Sequence, residues 1–203
     1  MTQPPDPAGV TIGVDIGGTN VRVARIDRDG RILRHLKVRT GSRPTATELV
    51  GDLVDQLMGD DVVAAGIGIP GRLDRHGTTI VSAGYVDLAG VRLGELIGAR
   101  IGRPVVMDND AHMALVAELV IGAAAQVAHV VMFTIGTGIG GAVAESRRVL
   151  RGRGNAGQLG HLTIDPDGPP CNCGRRGCSE VLASGTALTR SIREAGMPPG
   201  TTV

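Results

Sequence analysis

Two stretches of the chain share one layout, a pair of apolar strands joined by a glycine turn, and this repeat constrains the fold most. In the first stretch, residues 10–16 and 21–26 are predicted strands on either side of a glycine pair. In the second, residues 128–144 predict two apolar strands around a glycine turn at 136–138. The repeat predicts two related lobes. The predicted parts are a flexible leader (1–9), an N-terminal α/β lobe (10–127) and a C-terminal lobe (128–203).

The residues between the two stretches predict alternating helices and strands. Leu49, Leu53 and Leu57 recur at four-residue spacing, which is typical of an amphipathic helix. The continuous apolar run at 62–69 is typical of a central parallel strand. The remaining predicted elements are a turn at 29–30, strands at 32–38 and 105–107, and helices at 45–58, 93–101, 111–124 and 181–195. This order predicts the α/β class.

Composition excludes several classes of protein. The formal net charge is +1 and no basic block is present, which argues against a nucleic-acid partner. No apolar run approaches the ~20 residues of a membrane-spanning helix, so no membrane association is expected. The N-terminus has no secretory signal pattern, and three cysteines are an odd number for a disulfide framework. A cytoplasmic location, where thiols stay reduced, is therefore expected.

The three cysteines and one histidine have the spacing of a metal site. Cys171, Cys173 and Cys178 follow ten residues after His161, and a Cys₃His set is a tetrahedral structural zinc site. The intervening glycines allow the backbone to curl so that three thiolates converge. The alternatives are a disulfide or three unrelated buried thiols. We predict structural zinc at His161, Cys171, Cys173 and Cys178, in a zinc-binding loop of the second lobe.

The two glycine turns are candidate phosphate-binding sites. In the first turn, DIGGTN (15–20), bare glycines permit close approach of an anion, and Asp15 at the strand end is placed to hold hydrated Mg²⁺. The second turn, 136–141, begins the second pair of strands in the equivalent place. Neither is a Walker loop, which would require Gly-Lys-Ser/Thr before a helix. For each turn alone the alternative is an ordinary glycine hairpin.

A polar segment follows the predicted strand at 105–107. Asn109 and Asp110 stand where open α/β sheets bind their ligands, and an aspartate there can accept the proton of an attacking hydroxyl. The alternative is plain helix capping by Asp108 or Asn109, which the local sequence favours slightly.

Together these motifs resemble the ROK family (repressor, ORF, kinase), from Val10 to the end of the chain. The matching segments are DIGGTN (15–20), GIGIPG (66–71), DNDA (108–111), TIGTGIGG (134–141), GNAGQLGH…CNCGRRGCSE (154–180) and ASGTAL (183–188), the last being closest to the glucokinase branch. The resemblance implies a two-lobed actin/hexokinase-like (ribonuclease H-like) fold. It also implies an ATP-dependent kinase acting on a hexose or N-acetylhexosamine. Because family members are commonly dimers or tetramers, a homo-oligomer is left open.

The resemblance also implies roles for individual residues. Asp110 would be the catalytic base, and His161 would bind zinc through one ring nitrogen and a sugar hydroxyl through the other. The remaining sugar contacts would be Asn109, Gln158 and Glu180. The triphosphate and Mg²⁺ of ATP would be held by Asp15, Gly17, Gly18, Thr19, Asn20, Thr137 and Gly138.

The sequence departs from the family pattern at several places. Gln158 replaces the usual Glu, Tyr85 aligns with a sugar-facing Asn, and His112 replaces an Asn. Two full lobes of this fold would need about 300 residues, whereas this chain has 203. The second lobe is therefore expected to be incomplete, without the adenosine-binding segment, and activity is expected to be doubtful.

Three classes of function follow from the resemblance. The first is a glucokinase-like sugar kinase. The second is a sugar-sensing regulator of the same family, which would carry a DNA-binding module before the first strand, where only nine residues precede Val10. The third is a non-catalytic zinc-binding fragment.

Overall fold

The structure is a computed structural model that describes residues 9–84 and 86–198. Most of the predicted leader and Tyr85 therefore lie outside the described residues. The strands are β1 (Val10–Ile16), β2 (Asn20–Ile26), β3 (Ile32–Arg39), β4 (Val62–Ile69), β5 (Arg72–Leu73), β6 (Ile80–Ser82), β7 (Val105–Asn109), β8 (Val130–Ile135), β9 (Ile139–Glu145) and β10 (Arg148–Val149). The helices are α1 (Ala46–Asp55), α2 (Leu93–Ile101), α3 (Asp110–Val120), α4 (Ser179–Ala183), α5 (Gly185–Glu194) and a 3₁₀ helix (Leu159–His161).

The chain forms two compact units, Met1–Ala117 and Glu118–Val203, and the division between them falls inside α3. The lobe boundary predicted after residue 127 stays a prediction. It was inferred from the repeat of strands and glycine turns, whereas the two units are defined by their compactness. Within the described residues, no helix combines the length and apolar character needed to cross a membrane.

The first unit is built on a five-stranded sheet with the order β3-β2-β1-β4-β7. The strands β1, β2 and β3 are antiparallel neighbours, whereas β4 pairs in parallel with both β1 and β7. In β1 every second residue is buried, because successive side chains of a strand point to opposite faces. The carboxyl ends of β1, β4 and β7 consequently lie at one edge of the sheet.

Helix α1 covers the sheet of the first unit and starts at a capping box. Thr45 accepts a hydrogen bond from the Glu48 backbone N–H, and the Glu48 carboxylate accepts one from the Thr45 N–H. The helix buries Leu49 and Leu53, as the four-residue spacing predicted. The core is aliphatic, with Ile12, Ile67 and other branched side chains fully buried.

The second unit contains an antiparallel three-stranded sheet with the order β10-β9-β8. A long loop follows, and its isolated bridges join Thr163 to Cys178 and Pro170 to Arg176. Gly177 has a φ of 58°, and a Cβ there would overlap the Asp165 carbonyl, so this position of the loop requires glycine.

The single helix predicted at 181–195 is wrong, because two helices occupy this segment. Ser184 has extended backbone angles (φ −74°, ψ 167°) and ends α4. Its hydroxyl then accepts a hydrogen bond from the Ala187 N–H and so caps α5. The predicted bounds of β4 and α2 are confirmed, and the predicted helix at 111–124 runs from Asp110 to Val120.

Candidate active site

The carboxyl edge of the first sheet gathers the polar residues that the sequence singled out in the first unit. Asp15 of β1 is level with Gly68 of β4, which is in turn level with Asp108 of β7. The chain leaves β1 into the first glycine turn and leaves β7 directly into α3. The register therefore brings Asp15 and Asp110 to neighbouring positions at this edge.

Asp110 is the first residue of α3 and lies over Gly68. A Cβ placed on Gly68 would lie 3.4 Å from the Cα of Asp110 and 3.8 Å from its Cβ, so the bare glycine leaves room for the aspartate. Burial raises the pKa of Asp110, and the charge of Asp15 raises it further, against the hydrogen bond that the Ala111 N–H donates to it. Asp110 is therefore a stronger proton acceptor than an ordinary aspartate.

Asn109 already has partners at both ends of its side chain. Its Oδ1 accepts hydrogen bonds from the N–H groups of Ala111 (3.0 Å) and His112 (3.3 Å), so Asn109 caps α3. Its Nδ2 donates to the Gly71 carbonyl at 2.9 Å. The capping interpretation of Asn109 is thus confirmed, and one amide N–H is the donor with which it could also contact a ligand.

A buried pair lies beneath this segment. His112 Nδ1 is 2.9 Å from Asp108 Oδ1, and the two residues are only 2% and 9% exposed. The same Asp108 oxygen accepts a hydrogen bond from the Asn109 N–H at 2.8 Å. The Asp108–His112 pair therefore fixes the backbone on which Asn109 and Asp110 stand.

The first glycine turn is held from one side by Thr40. The Thr40 hydroxyl donates to the Gly17 carbonyl at 2.7 Å, and the Thr40 N–H donates to the Thr19 carbonyl at 3.0 Å. The Gly17 N–H donates to the Asn20 carbonyl and closes the turn, with Gly18 between them. Sequence reasoning missed Thr40, because nothing in its local sequence marks a partner 23 residues away.

Asp15 carries an exposed ion pair. Its carboxylate is 2.7 Å from the Arg22 guanidinium, and both side chains are about half exposed. Exposed pairs of this kind contribute about 0–1 kcal/mol. A bound cation can therefore displace Arg22 at little cost.

In the second unit, the glycine turn at 136–138 joins β8 to β9 and contains Thr137 and Gly138. The N–H of Ile139, the first residue of β9, donates to Glu180 Oε2 at 2.9 Å. A Cβ on Gly138 would overlap that same oxygen. The structure thus places Glu180, a predicted sugar contact, directly on the second predicted phosphate turn.

The four predicted metal ligands converge in the second unit. One donor atom from each of His161, Cys171, Cys173 and Cys178 lies within 4.8 Å of the others. The His161 Nδ1–Cys171 Sγ distance and the Cys173 Sγ–Cys178 Sγ distance are both 3.6 Å. Ligands of a tetrahedral zinc with bonds of about 2.0–2.3 Å are separated by roughly 3.3–3.8 Å. The donor set and these two distances fit zinc.

The thiols of the cluster differ in acidity. The Arg175 N–H, assisted by the neighbouring cysteines, lowers the pKa of the exposed Cys173 to about 7. Burial and the neighbouring cysteines raise the pKa of Cys178 to about 12. A low pKa favours the thiolate, which is the form that binds metal.

The residues around His161 form a compact turn. His161 ends the 3₁₀ helix, and its N–H donates to the Gln158 carbonyl at 3.1 Å. With Nδ1 turned to Cys171, the other ring nitrogen of His161 remains for a second partner. Glu180 lies in the first turn of α4, two residues after Cys178.

The chain resembles solved structures of sugar kinases. The crystal structure of a ROK family glucokinase from Streptomyces griseus, in complex with glucose and AMPPNP, matches with a TM-score of 0.83 at 40% identity. The match covers 92% of this chain and 61% of that one. The fold is therefore the actin/hexokinase-like α/β fold of the ROK glucokinases.

The sequence comparisons give the family. The sequence profile of the ROK family matches residues 11–200, so the chain belongs to the ROK family. A glucokinase of Thermotoga maritima is 38% identical over 189 residues, 90% of this chain and 60% of that protein. A xylose repressor of Bacillus spizizenii is 30% identical over 195 residues, 92% of this chain and 50% of the repressor. The chain thus spans about half to three fifths of the length of these relatives.

Proposed function

We propose that the protein is a glucokinase-like sugar kinase that transfers the γ-phosphate of ATP to a hexose hydroxyl. One observation carries the proposal: Asp110 stands at the carboxyl edge of the sheet, over Gly68, with its pKa raised by burial and by Asp15. A carboxylate of raised pKa is suited to accept the proton of an attacking hydroxyl. The similarity to glucokinases over 90% of the chain supports the same activity.

Asp110 acts as the general base in this proposal. It accepts the proton of the sugar hydroxyl as that oxygen attacks the γ-phosphorus of ATP and ADP leaves. In phosphoryl transfer the protein contributes mainly position and charge stabilisation. The Asp108–His112 pair supports this role, because it holds the backbone of Asn109 and Asp110 in place.

Each of the two glycine turns is proposed to bind phosphate groups of ATP within its own unit. Gly17, Gly18, Thr19 and Asn20 supply backbone groups in the first unit, and Thr137 and Gly138 supply them in the second. Asp15 would hold hydrated Mg²⁺ in place of its exposed Arg22 partner. Mg²⁺ neutralises charge that develops on the phosphate oxygens when it is bound.

Zinc is proposed at His161, Cys171, Cys173 and Cys178. It would be structural, because four protein ligands leave no open coordination position. Binding through Nδ1 would fix the tautomer and direction of His161, so that Nε2 is aimed at a sugar hydroxyl. Three free cysteines beside a histidine also suit a reducing compartment, and we propose the cytoplasm.

The sugar is proposed to be glucose, another hexose or an N-acetylhexosamine. Asn109, Gln158, His161 and Glu180 are the proposed contacts. Gln158 is neutral, and a neutral acceptor makes weaker hydrogen bonds to hydroxyls than a carboxylate. Gln158, together with Tyr85, is therefore proposed to shift specificity relative to a family member that has Glu at position 158.

A sugar-sensing regulator is the second candidate, favoured by the similarity to the xylose repressor over 92% of the chain. Isothermal titration with glucose and with Mg–ATP separates the two. A kinase binds both ligands, and the variant Asp15→Ala weakens the binding of Mg–ATP but leaves that of glucose unchanged. Binding of sugar with no binding of nucleotide would contradict the kinase and favour the regulator.

A further inference from the structure

The second glycine turn is held by hydrogen bonds from two helices that the sequence did not connect with it. The Gly136 carbonyl accepts from the Gly185 N–H at 2.9 Å. The Thr137 carbonyl accepts from the Thr186 hydroxyl at 2.8 Å and from the Thr186 N–H at 3.3 Å. On the far side of the turn, the Ile139 N–H donates to Glu180.

These bonds determine where the remaining backbone groups of the turn point. A trans peptide is planar, and its N–H is directed opposite to its carbonyl. No cis peptide occurs in the described residues. With the carbonyls of Gly136 and Thr137 directed at α5, the N–H groups of Thr137 and Gly138 are directed away from α5. Two successive N–H groups on one side of a turn are suited to bind an anion.

Glycine is needed on both sides of this arrangement. A Cβ on Gly185 would lie 2.8 Å from the Gly136 carbonyl oxygen, and a Cβ on Gly138 would overlap Glu180 Oε2. The second glycine turn therefore packs closely against the first turns of α4 and α5. A shift of any of the three would break the hydrogen bonds that join them.

The segments that carry the metal ligands place Glu180. Cys178 immediately precedes α4, and its thiol lies 3.7 Å from the His161 carbonyl. The next residue, Ser179, donates its N–H to the Leu162 carbonyl (2.8 Å) and its hydroxyl to the Leu159 carbonyl (2.9 Å). The first turn of α4, with Glu180, is thus tied to the 3₁₀ helix that ends at His161.

We propose that Glu180 and Thr186 are positioning residues that hold the second glycine turn so that the N–H groups of Thr137 and Gly138 face phosphate. The cysteine–histidine cluster influences the turn indirectly, because it holds the segment that positions Glu180. The phosphate role of the turn rests on the proposed function. The hydrogen bonds of Glu180 and Thr186 to the turn do not depend on the proposed function and are tested separately.

The first test measures hydrogen exchange at the Ile139 amide by NMR. Loss of the hydrogen bond in Glu180→Ala should speed exchange by roughly 2- to 12-fold, which corresponds to about 0.5–1.5 kcal/mol per bond. Glu180→Gln keeps an acceptor and should change exchange less. Amides of β9 such as Val143 serve as the internal reference. Equal acceleration at Val143 and Ile139, or none at Ile139, would overturn the role of Glu180.

The second test compares two threonines of α5. Thr186→Val removes the hydroxyl that bonds Thr137, whereas Thr189 donates its hydroxyl to the Gly185 carbonyl, away from the turn. Thr186→Val should shift the Thr137 and Gly138 amide resonances and weaken Mg–ATP binding by roughly 2- to 12-fold. Thr186→Ser keeps the hydroxyl and should retain the amide resonances and the Mg–ATP affinity of the unsubstituted chain. Thr189→Val should also leave the resonances and the affinity unchanged. Equal effects of Thr186→Val and Thr189→Val would overturn the proposal.

Titration with Mg–ATP and with zinc separates this proposal from the proposed function. If Mg–ATP leaves the Thr137 and Gly138 resonances of the unsubstituted chain unchanged, the phosphate role fails, whereas the hydrogen bonds of Glu180 and Thr186 to the turn are still decided by the exchange and resonance tests above. If zinc binds, it should slow Ile139 exchange in the unsubstituted chain more than in Glu180→Ala. Equal slowing in both would show that the cluster does not reach the turn through Glu180.

Discussion

Replacement of His112 by Leu is expected to destabilise the first unit and to disturb the backbone of Asp110. The substitution removes the partner of Asp108 Oδ1 at 2.9 Å in a place where both residues are buried. Leu has nearly the volume of His, so the cavity contribution is small and the lost hydrogen bond dominates. The affected Asp108 oxygen still accepts the hydrogen bond from the Asn109 N–H at 2.8 Å, and this bond offsets part of the cost of burying it.

The magnitude follows from these contacts. A buried hydrogen bond to an ionised or ionisable partner contributes about 1.5–3 kcal/mol, and the retained Asn109 bond places the expected loss in the lower half of that range. Against a total stability of about 5–15 kcal/mol, this is a large fraction. The bond to the Asn109 side chain comes from the backbone N–H of residue 112, which leucine also carries, so the capping of α3 should be retained.

The assay is a double-mutant cycle of His112→Leu and Asp108→Asn. The chain has no Trp, so urea unfolding is followed by far-UV circular dichroism. The cycle isolates the pair from the other contacts of each residue, and a coupling energy of about 1–2 kcal/mol is expected within the 0.5–3 kcal/mol seen for neighbours. Additivity within about 0.3 kcal/mol would refute a stabilising pair at this position.

Three further predictions concern the metal, the base and the sugar. Cys178→Ser should lose the thermal stabilisation that zinc gives the unsubstituted chain, which is about 4 kcal/mol at a thousandfold excess over Kd; an equal zinc-induced rise in Tm in both proteins would contradict the ligand assignment. Asp110→Asn should raise the free energy of unfolding at neutral pH, because the raised pKa means that the fold disfavours the ionised carboxyl. The gain should vanish below the unfolded pKa and grow as pH rises through the folded pKa, and a loss of stability in urea unfolding at pH 7 would contradict burial as the cause. Gln158→Glu should tighten glucose binding by roughly fivefold in calorimetry, since a charged acceptor makes stronger hydrogen bonds; weaker binding would contradict a hydroxyl contact.

Local patterns predicted most of the elements of the first unit. The run at 62–69 and the helix at 93–101 have their predicted bounds, because glycine, proline and polar residues mark both ends in the sequence. The break at Ser184 was missed although the sequence carries a sign of it, because Ser184 and Gly185 form a dipeptide that is common at turns and serine is a favoured N-cap. Such a helix boundary is set by a capping hydrogen bond between residues a few positions apart, which the spacing of apolar residues does not reveal.

The metal cluster could be predicted from spacing, but its connection to the glycine turn could not. Cys171, Cys173 and Cys178 lie within eight residues of one another, so a curled loop brings them together whatever the rest of the fold does. Glu180 and Ile139 are 41 residues apart, and Thr186 and Thr137 are 49 apart. Those pairs meet only through the packing of α4 against β9 and of α5 against α4.

Glucose-dependent formation of ADP from Mg–ATP, measured on the purified protein and on Asp110→Asn, tests the central claim most directly. The account predicts turnover that depends on glucose in the unsubstituted protein. Such turnover would overturn the expectation, drawn from the length of 203 residues, that activity is doubtful. The account also predicts a loss of roughly 10²–10⁴ in kcat in the variant, with zinc content unchanged. Turnover that survives in Asp110→Asn, or an absence of turnover in a protein that binds both ligands, would contradict the assignment of Asp110 as the base of a sugar kinase.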